Sequence, residues 1–140
     1  PIDRKTVIVD LADNRSVYSE CANEEYERRI IDRLVDYLHE SPEMTAVFAL
    51  NDRIAANLID AAKQCGRVVG QDLSIVGFDN VSLSARLDPP LTTIDAPTLA
   101  IGKRAAQILL YHMENEGAEL IKEHLPMHLV IRGSSGPNRT

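Results

Sequence analysis

Three strand-like apolar runs in this sequence break at an acidic or amide residue. Lys5–Leu11 (KTVIVDL) stops at Asp10, Thr45–Leu50 (TAVFAL) gives way to Asn51-Asp52, and Leu73–Phe78 (LSIVGF) gives way to Asp79-Asn80. In open α/β sheets, ligands bind outside the carboxyl ends of the strands. These polar residues are therefore expected to converge on one rim. A carboxylate accepts hydroxyl protons and an amide both donates and accepts, so the set suits a neutral polyhydroxy ligand. Hydrogen bonds to a charged group contribute about 1.5–3 kcal/mol each, and two or three would orient a sugar. The competing role is helix capping, which Asn and Asp commonly perform after a strand. Asn51-Asp52 stands at a helix start and fits both roles. Asp79 stands in a loop, where binding is the better reading.

Other chemistries find less support. No G-x-x-x-x-G-K-[ST] loop follows any strand. His39 and His112 fall on predicted helices, and His124 and His128 lie near the last strand, away from the acidic rim. Cys21 and Cys65 show neither a C-x-x-C pair nor metal-ligand spacing, and no Ser, Cys or His pairing suggests an activated nucleophile. Cys65, beside Gly66, reads as a small buried hydrophobe. We expect no catalysis, no metal and no cofactor. One rival deserves weight: a response-regulator receiver domain, with Asp52 as phospho-acceptor and Asp10 and Asp13 holding Mg2+. A receiver needs a Ser or Thr and then a Lys at the ends of its last two strands. Here those ends offer Asp79 and Arg132, and a third acid would repel phosphate.

Alternating elements must position the rim. Asn23 is expected to cap a helix that aligns Ile30, Ile31, Leu34, Val35 and Leu38 on one face and ends at Ser41-Pro42. The run 45–50 is apolar throughout, as a central parallel strand buried on both faces would be. Asn51-Asp52 opens a helix whose inward face is Ile54, Ala55, Leu58, Ile59 and Ala62, closed by Gly66. Residues 73–78 form the next strand. These units predict an α/β fold with an open, parallel, doubly wound sheet. Beyond Asp79 come a loop with Pro89-Pro90, an extended stretch at 92–94, and a helix from a Thr98 cap to about Asn115. That helix is apolar on more than one side and wants cover on two. A last strand spans 128–131.

A chain of 140 residues that is 44% hydrophobic and 26% charged can bury roughly two-thirds of its unfolded surface. Its net charge of −6 gives it no general attraction for phosphate backbones. Positions 1–40 hold 6 basic against 10 acidic residues, so no basic arm offsets this. With no signal peptide or bilayer-length apolar run, the expected location is the cytoplasm.

Five segments occur in an order and spacing that resemble the C-terminal part of the lactose/galactose repressor family of bacterial transcription regulators. They are TAVFALNDRIA (45–55), DLSIVGFDN (72–80), PPLTTI (89–94), IGKRAAQILL (101–110) and LVIRGSS (129–135). The resemblance implies a periplasmic-binding-protein-like module with two lobes around a cleft. Residues 1–94 and 126–136 would form the C-terminal lobe, 95–125 would cross into the first lobe, and 137–140 would be a tail. Such a module binds a small effector, here expected to be a sugar. Asn51 and Asp79 match effector-contacting positions, with Asp52 beside them and Tyr18 offering a ring to stack on a sugar face.

The resemblance also implies a homodimer, with Ala56, Leu58, Leu83 and Leu87 at the interface, and operator contact only through an N-terminal headpiece that these residues do not include. Beginning at Pro1 within what resembles a longer protein, the chain is expected to be a truncated fragment. Without a first lobe, the helix from Thr98 would expose a large apolar patch. We expect it to fold back over its own sheet or to dock on a neighbouring chain, hinging at Asp95, Ala96 and Pro97.

Overall fold

The computed structural model describes residues 24–137. The expected strand at 5–11, the loop at 12–22 with Asp10, Asp13, Tyr18 and Cys21, the Asn23 cap and the last three residues of the tail lie outside the described residues.

Helix α1 (Glu24–Glu40) carries the expected stripe: Ile30, Leu34 and Leu38 are buried, and Ile31 and Val35 pack at the margin of the same core. After Ser41-Pro42 comes strand β1 (Ala46–Phe48), then helix α2 (Asp52–Gln64). Helix α2 buries Ala55, Leu58, Ile59, Ala61 and Ala62 against α1 and strand β2 (Ser74–Phe78). Gly66 adopts φ +69° just past the end of α2, and Arg67 N–H donates to Ala62 O. This left-handed cap is the one its position predicted.

Strand β3 (Thr92–Asp95) follows β2 in parallel, yet the crossover holds a single 3₁₀ turn (Ser84–Arg86) in place of a full helix. The four described strands lie in the order β1-β2-β3-β4, with β4 (His128–Val130) antiparallel to β3. The sheet is therefore open and dominated by parallel pairs, as expected of this α/β fold, with one antiparallel edge. The reversal has a local cause. The chain leaves the carboxyl end of β3, makes helix α3 (Thr98–Glu114) and returns to the same edge.

The core lies on the face carrying Val47, Ile75 and Gly77, where α2 packs. The opposite face carries Phe48, Val76, Phe78, Ile94 and Leu129, of which Phe48 and Leu129 are exposed. At the amino ends of β2 and β3, buried Ser134 closes the gap. Its backbone accepts from Ile75 N–H, and its hydroxyl donates to Ile75 O and accepts from Thr92 N–H. The C-terminal strap thus ties two strands together.

Two expectations about α3 need correction. Thr98 is its first residue rather than its cap; Pro97 holds the cap position, with no side-chain hydrogen bond. The helix also does not fold back on its own sheet. None of its residues is buried, and Leu99 is 87% exposed. Its ion pair, Arg104 with Glu123, binds it to the returning segment instead of to the sheet.

Candidate functional site

The site starts where β1 meets α2. Asn51 is extended (φ −154°, ψ 173°), and its Oδ1 accepts from Ile54 N–H at 2.9 Å. This N-cap satisfies one of the amides that every helix start leaves without a partner. It occupies only the side-chain oxygen of a half-buried amide. Asn51 therefore performs the capping role, and its place at the strand end still leaves it on the rim.

Asp52, in the first turn of α2, is only 1% exposed. Its Oδ2 accepts from Val81 N–H at 2.9 Å, and its Oδ1 accepts from the buried Thr93 hydroxyl. A carboxylate there also suits the positive end of the helix dipole. The carboxylate reaches the sheet because residue 77 has no side chain: a Cβ at Gly77 would collide with Asp52 Oδ1. This corrects the expectation that Asp52 contacts effector. The group is spent on holding α2, β3 and the loop after β2 together. The same burial removes the receiver alternative, because a phospho-acceptor must stand open at the rim.

Asp79 is different. It is exposed at the carboxyl end of β2, with φ +99°, and Asn80 follows at φ +51°. Non-glycine residues held in such conformations cost about 1–3 kcal/mol each and persist where surrounding structure over-determines them, commonly at ligand sites. Asp79 N–H still donates to Ile94 O at 3.0 Å, the last rung before the chain turns away. Asn51 comes three residues after β1 and Asp79 one residue after β2, so both follow the carboxyl ends of adjacent parallel strands. Tyr18 lies outside the described residues.

Two residues that sequence reasoning did not assign to the site belong to it. Asp95, expected only as a hinge, ends β3 beside Asp79 on the same rim. Arg132, noticed only as a misfit to the receiver pattern, fans its guanidinium over the loop. Nη2 donates to Asn80 Oδ1 at 2.8 Å, and Nη1 donates to Ser84 Oγ at 3.0 Å and Leu91 O at 2.7 Å. The LVIRGSS segment held the signal for Arg132, but its distance in sequence from residue 80 hid the contact.

The expected dimer residues divide. Leu83 is exposed, Ala56 is half-buried, and Leu87 is half-buried against the core. Leu58 is 3% exposed within the core cluster, which corrects its assignment to an interface. It supports α1 from inside.

Residues 7–135 match the family described as periplasmic binding protein-like domain. The HTH-type transcriptional repressor PurR of Aliivibrio fischeri (strain MJ11) is 36% identical over 115 residues, which span 82% of this chain and 33% of that protein. Among solved structures, the transcriptional regulator CelR in complex with cellobiose aligns with a TM-score of 0.70 at 27% identity, over 78% of this chain and 33% of that one. The lac repressor dimer bound to operator and the anti-inducer ONPF aligns with a TM-score of 0.70 at 28% identity, over 78% and 38%. The chain spans about a third or less of the length of the curated relatives it matches.

Proposed function

This chain belongs to the periplasmic binding protein-like domain family, in the form of the effector-binding domain of lactose/galactose-type repressors, and from that premise we propose that it is the effector-binding and dimerisation part of a sugar-responsive bacterial transcriptional repressor. The observation that carries the reading is that Asn51 and a conformationally strained, exposed Asp79 both follow the carboxyl ends of adjacent parallel strands. A carboxylate and an amide on one rim bind hydroxyls without activating them, so the chemistry is recognition rather than turnover. The CelR structure, solved with cellobiose, supports a sugar as the ligand class.

The lac repressor structure is a dimer on operator DNA, and it supports the same assembly here. Exposed Val81 and Leu83 and half-buried Ala56 and Leu87 supply the apolar part of that interface. A stable isologous contact needs roughly 1,000 Å² or more. We assign residues 1–94 and 126–136 to one lobe, with 95–125 crossing to a second lobe that covers α3. Operator contact falls to a headpiece, since a chain of net charge −6 attracts no phosphate by itself. The cytoplasm, where operators lie, is the location this implies.

Calorimetric titration of the full-length protein with cellobiose, ribose and lactose tests the reading. Asp79→Ala should weaken sugar binding roughly ten- to hundredfold, the loss of one charged hydrogen-bond partner, and leave the melting temperature within a degree or so. Unchanged affinity in the variant would overturn it.

A further inference from the structure

We propose that Arg132 and Asp52 are positioning residues of the effector site, which grip the Asp79–Val81 turn from two sides and hold the Asp79 carboxylate on the rim. The proposal rests on the reading of Asp79 as a ligand contact. Two consecutive non-glycine residues at positive φ do not hold that shape unaided. Something must impose it, and the turn has an external partner on each side. From the helix side, the buried Asp52 carboxylate takes Val81 N–H, one residue past the strained pair. From the strap side, Arg132 donates to the Asn80 side chain within the pair.

The second grip depends on guanidinium geometry. Arg132 reaches Asn80 Oδ1 with one terminal nitrogen and Ser84 Oγ and Leu91 O with the other, so it spans both ends of the crossover loop at once. A planar fork of fixed donors can do this, whereas a lysine ammonium is a point charge on a flexible stem. Arg132 is itself anchored: its N–H donates to Thr92 Oγ1 at 2.8 Å, and its carbonyl accepts from the same hydroxyl. Thr92 is buried in β3, so the fork is mounted on the sheet rather than on a loose tail. Asp52 is mounted equally firmly through Thr93, the next residue of β3. Adjacent residues of one strand thus brace the two grips.

Amide hydrogen exchange and sugar titration on the full-length protein test this together. In Arg132→Gln, the Asp79 and Val81 amides should exchange at least tenfold faster, while the Leu58 and Ile59 amides of α2 keep their wild-type rates. Affinity for the tightest binder among cellobiose, ribose and lactose should fall at least tenfold. Arg132→Lys should stay within threefold of Arg132→Gln in both measurements, because charge without the fork does not restore the grip. Asp52→Asn should speed exchange of Val81 in the same way. Leu38→Ala, a core change on the buried face of α1, serves as the reference for general destabilisation and should leave affinity within twofold.

Unchanged exchange at Asp79 and Val81 in Arg132→Gln overturns the proposal, and so does faster exchange with unchanged affinity. Affinity lost equally in Leu38→Ala overturns it as well, since the effect would then be one of stability. If Asp79→Ala binds as wild type, or no sugar of the panel binds wild type, the reading of the site fails instead. Exchange then decides the grip alone.

Discussion

Helices α2 and α3 have similar apolar content and opposite fates. Helix α2 buries six of its 13 residues, including the charged Asp52. Helix α3 buries none of its 17, although it carries Leu99, Ile101, Ile108, Leu109, Leu110 and Met113. The difference lies in distribution. The apolar residues of α2 gather on a stripe that α1 and β2 cover, while those of α3 spread round the helix and need cover on two sides. Helix α2 is also fastened at its start, through the Asn51 cap and Asp52, whereas α3 begins at Thr98 behind a Pro97 that makes no side-chain cap. Burial thus follows from where the chain leads a helix as much as from what the helix contains.

Truncating each helix sharpens the contrast most. Leu58→Ala in α2 should cost about 2–5 kcal/mol in denaturant unfolding of the isolated 140-residue chain, as buried leucines do when a cavity is left. Leu109→Ala in α3 should stay within about 0.5 kcal/mol under the same conditions, because its side chain is already largely in water. Equal losses at the two positions would erase the distinction. In the full-length protein, a large loss at Leu109 would show that a second lobe covers the helix.

A smaller effect separates stability from function at the strand ends. Asp79→Gly should raise stability by about 1 kcal/mol, since glycine accepts φ +99° without the steric cost that aspartate bears. The same change should abolish the effector response. A loss of stability on placing glycine there would mean that the Asp79 side chain serves the fold, as Asp52 does.

The smallest effect belongs to the excursion. The hydrogen bond from Arg104 holds the Glu123 carboxyl below the ordinary glutamate range. A carboxyl depressed in the folded state contributes stability that is present above the ordinary range and is lost as pH falls through the folded value. Acidification should therefore loosen the tie between α3 and the returning segment while the α2 amides stay protected, as exchange at graded pH would show. Since the pair is solvent-exposed, 0.5 M salt should largely mask the effect. A pH response that reached α2 would argue that the excursion and the lobe unfold as one.

Much of this molecule was legible as local pattern. The period of α1 and α2, the glycine that closes α2, the parallel strands β1 and β2, and the polar residues at their ends all follow from backbone sterics and hydrophobic spacing, which act within a few residues. The five repressor-like segments added the family. What the sequence left open needs contacts between distant positions. Asp52 and Asp79 look alike as strand-end acids, yet Asp52 is buried because Thr93 and Val81 come to it and Gly77 leaves room, while Asp79 is turned outward by a strained pair. Leu58 and Leu83 are both leucines near a proposed interface, and only packing against α1 put the first inside. Arg132 reaches its partners across 41 to 52 positions of sequence. Whether a carboxylate binds a ligand or holds the fold depends on which donors surround it in space, and those donors come from separate elements that only the assembled sheet brings together.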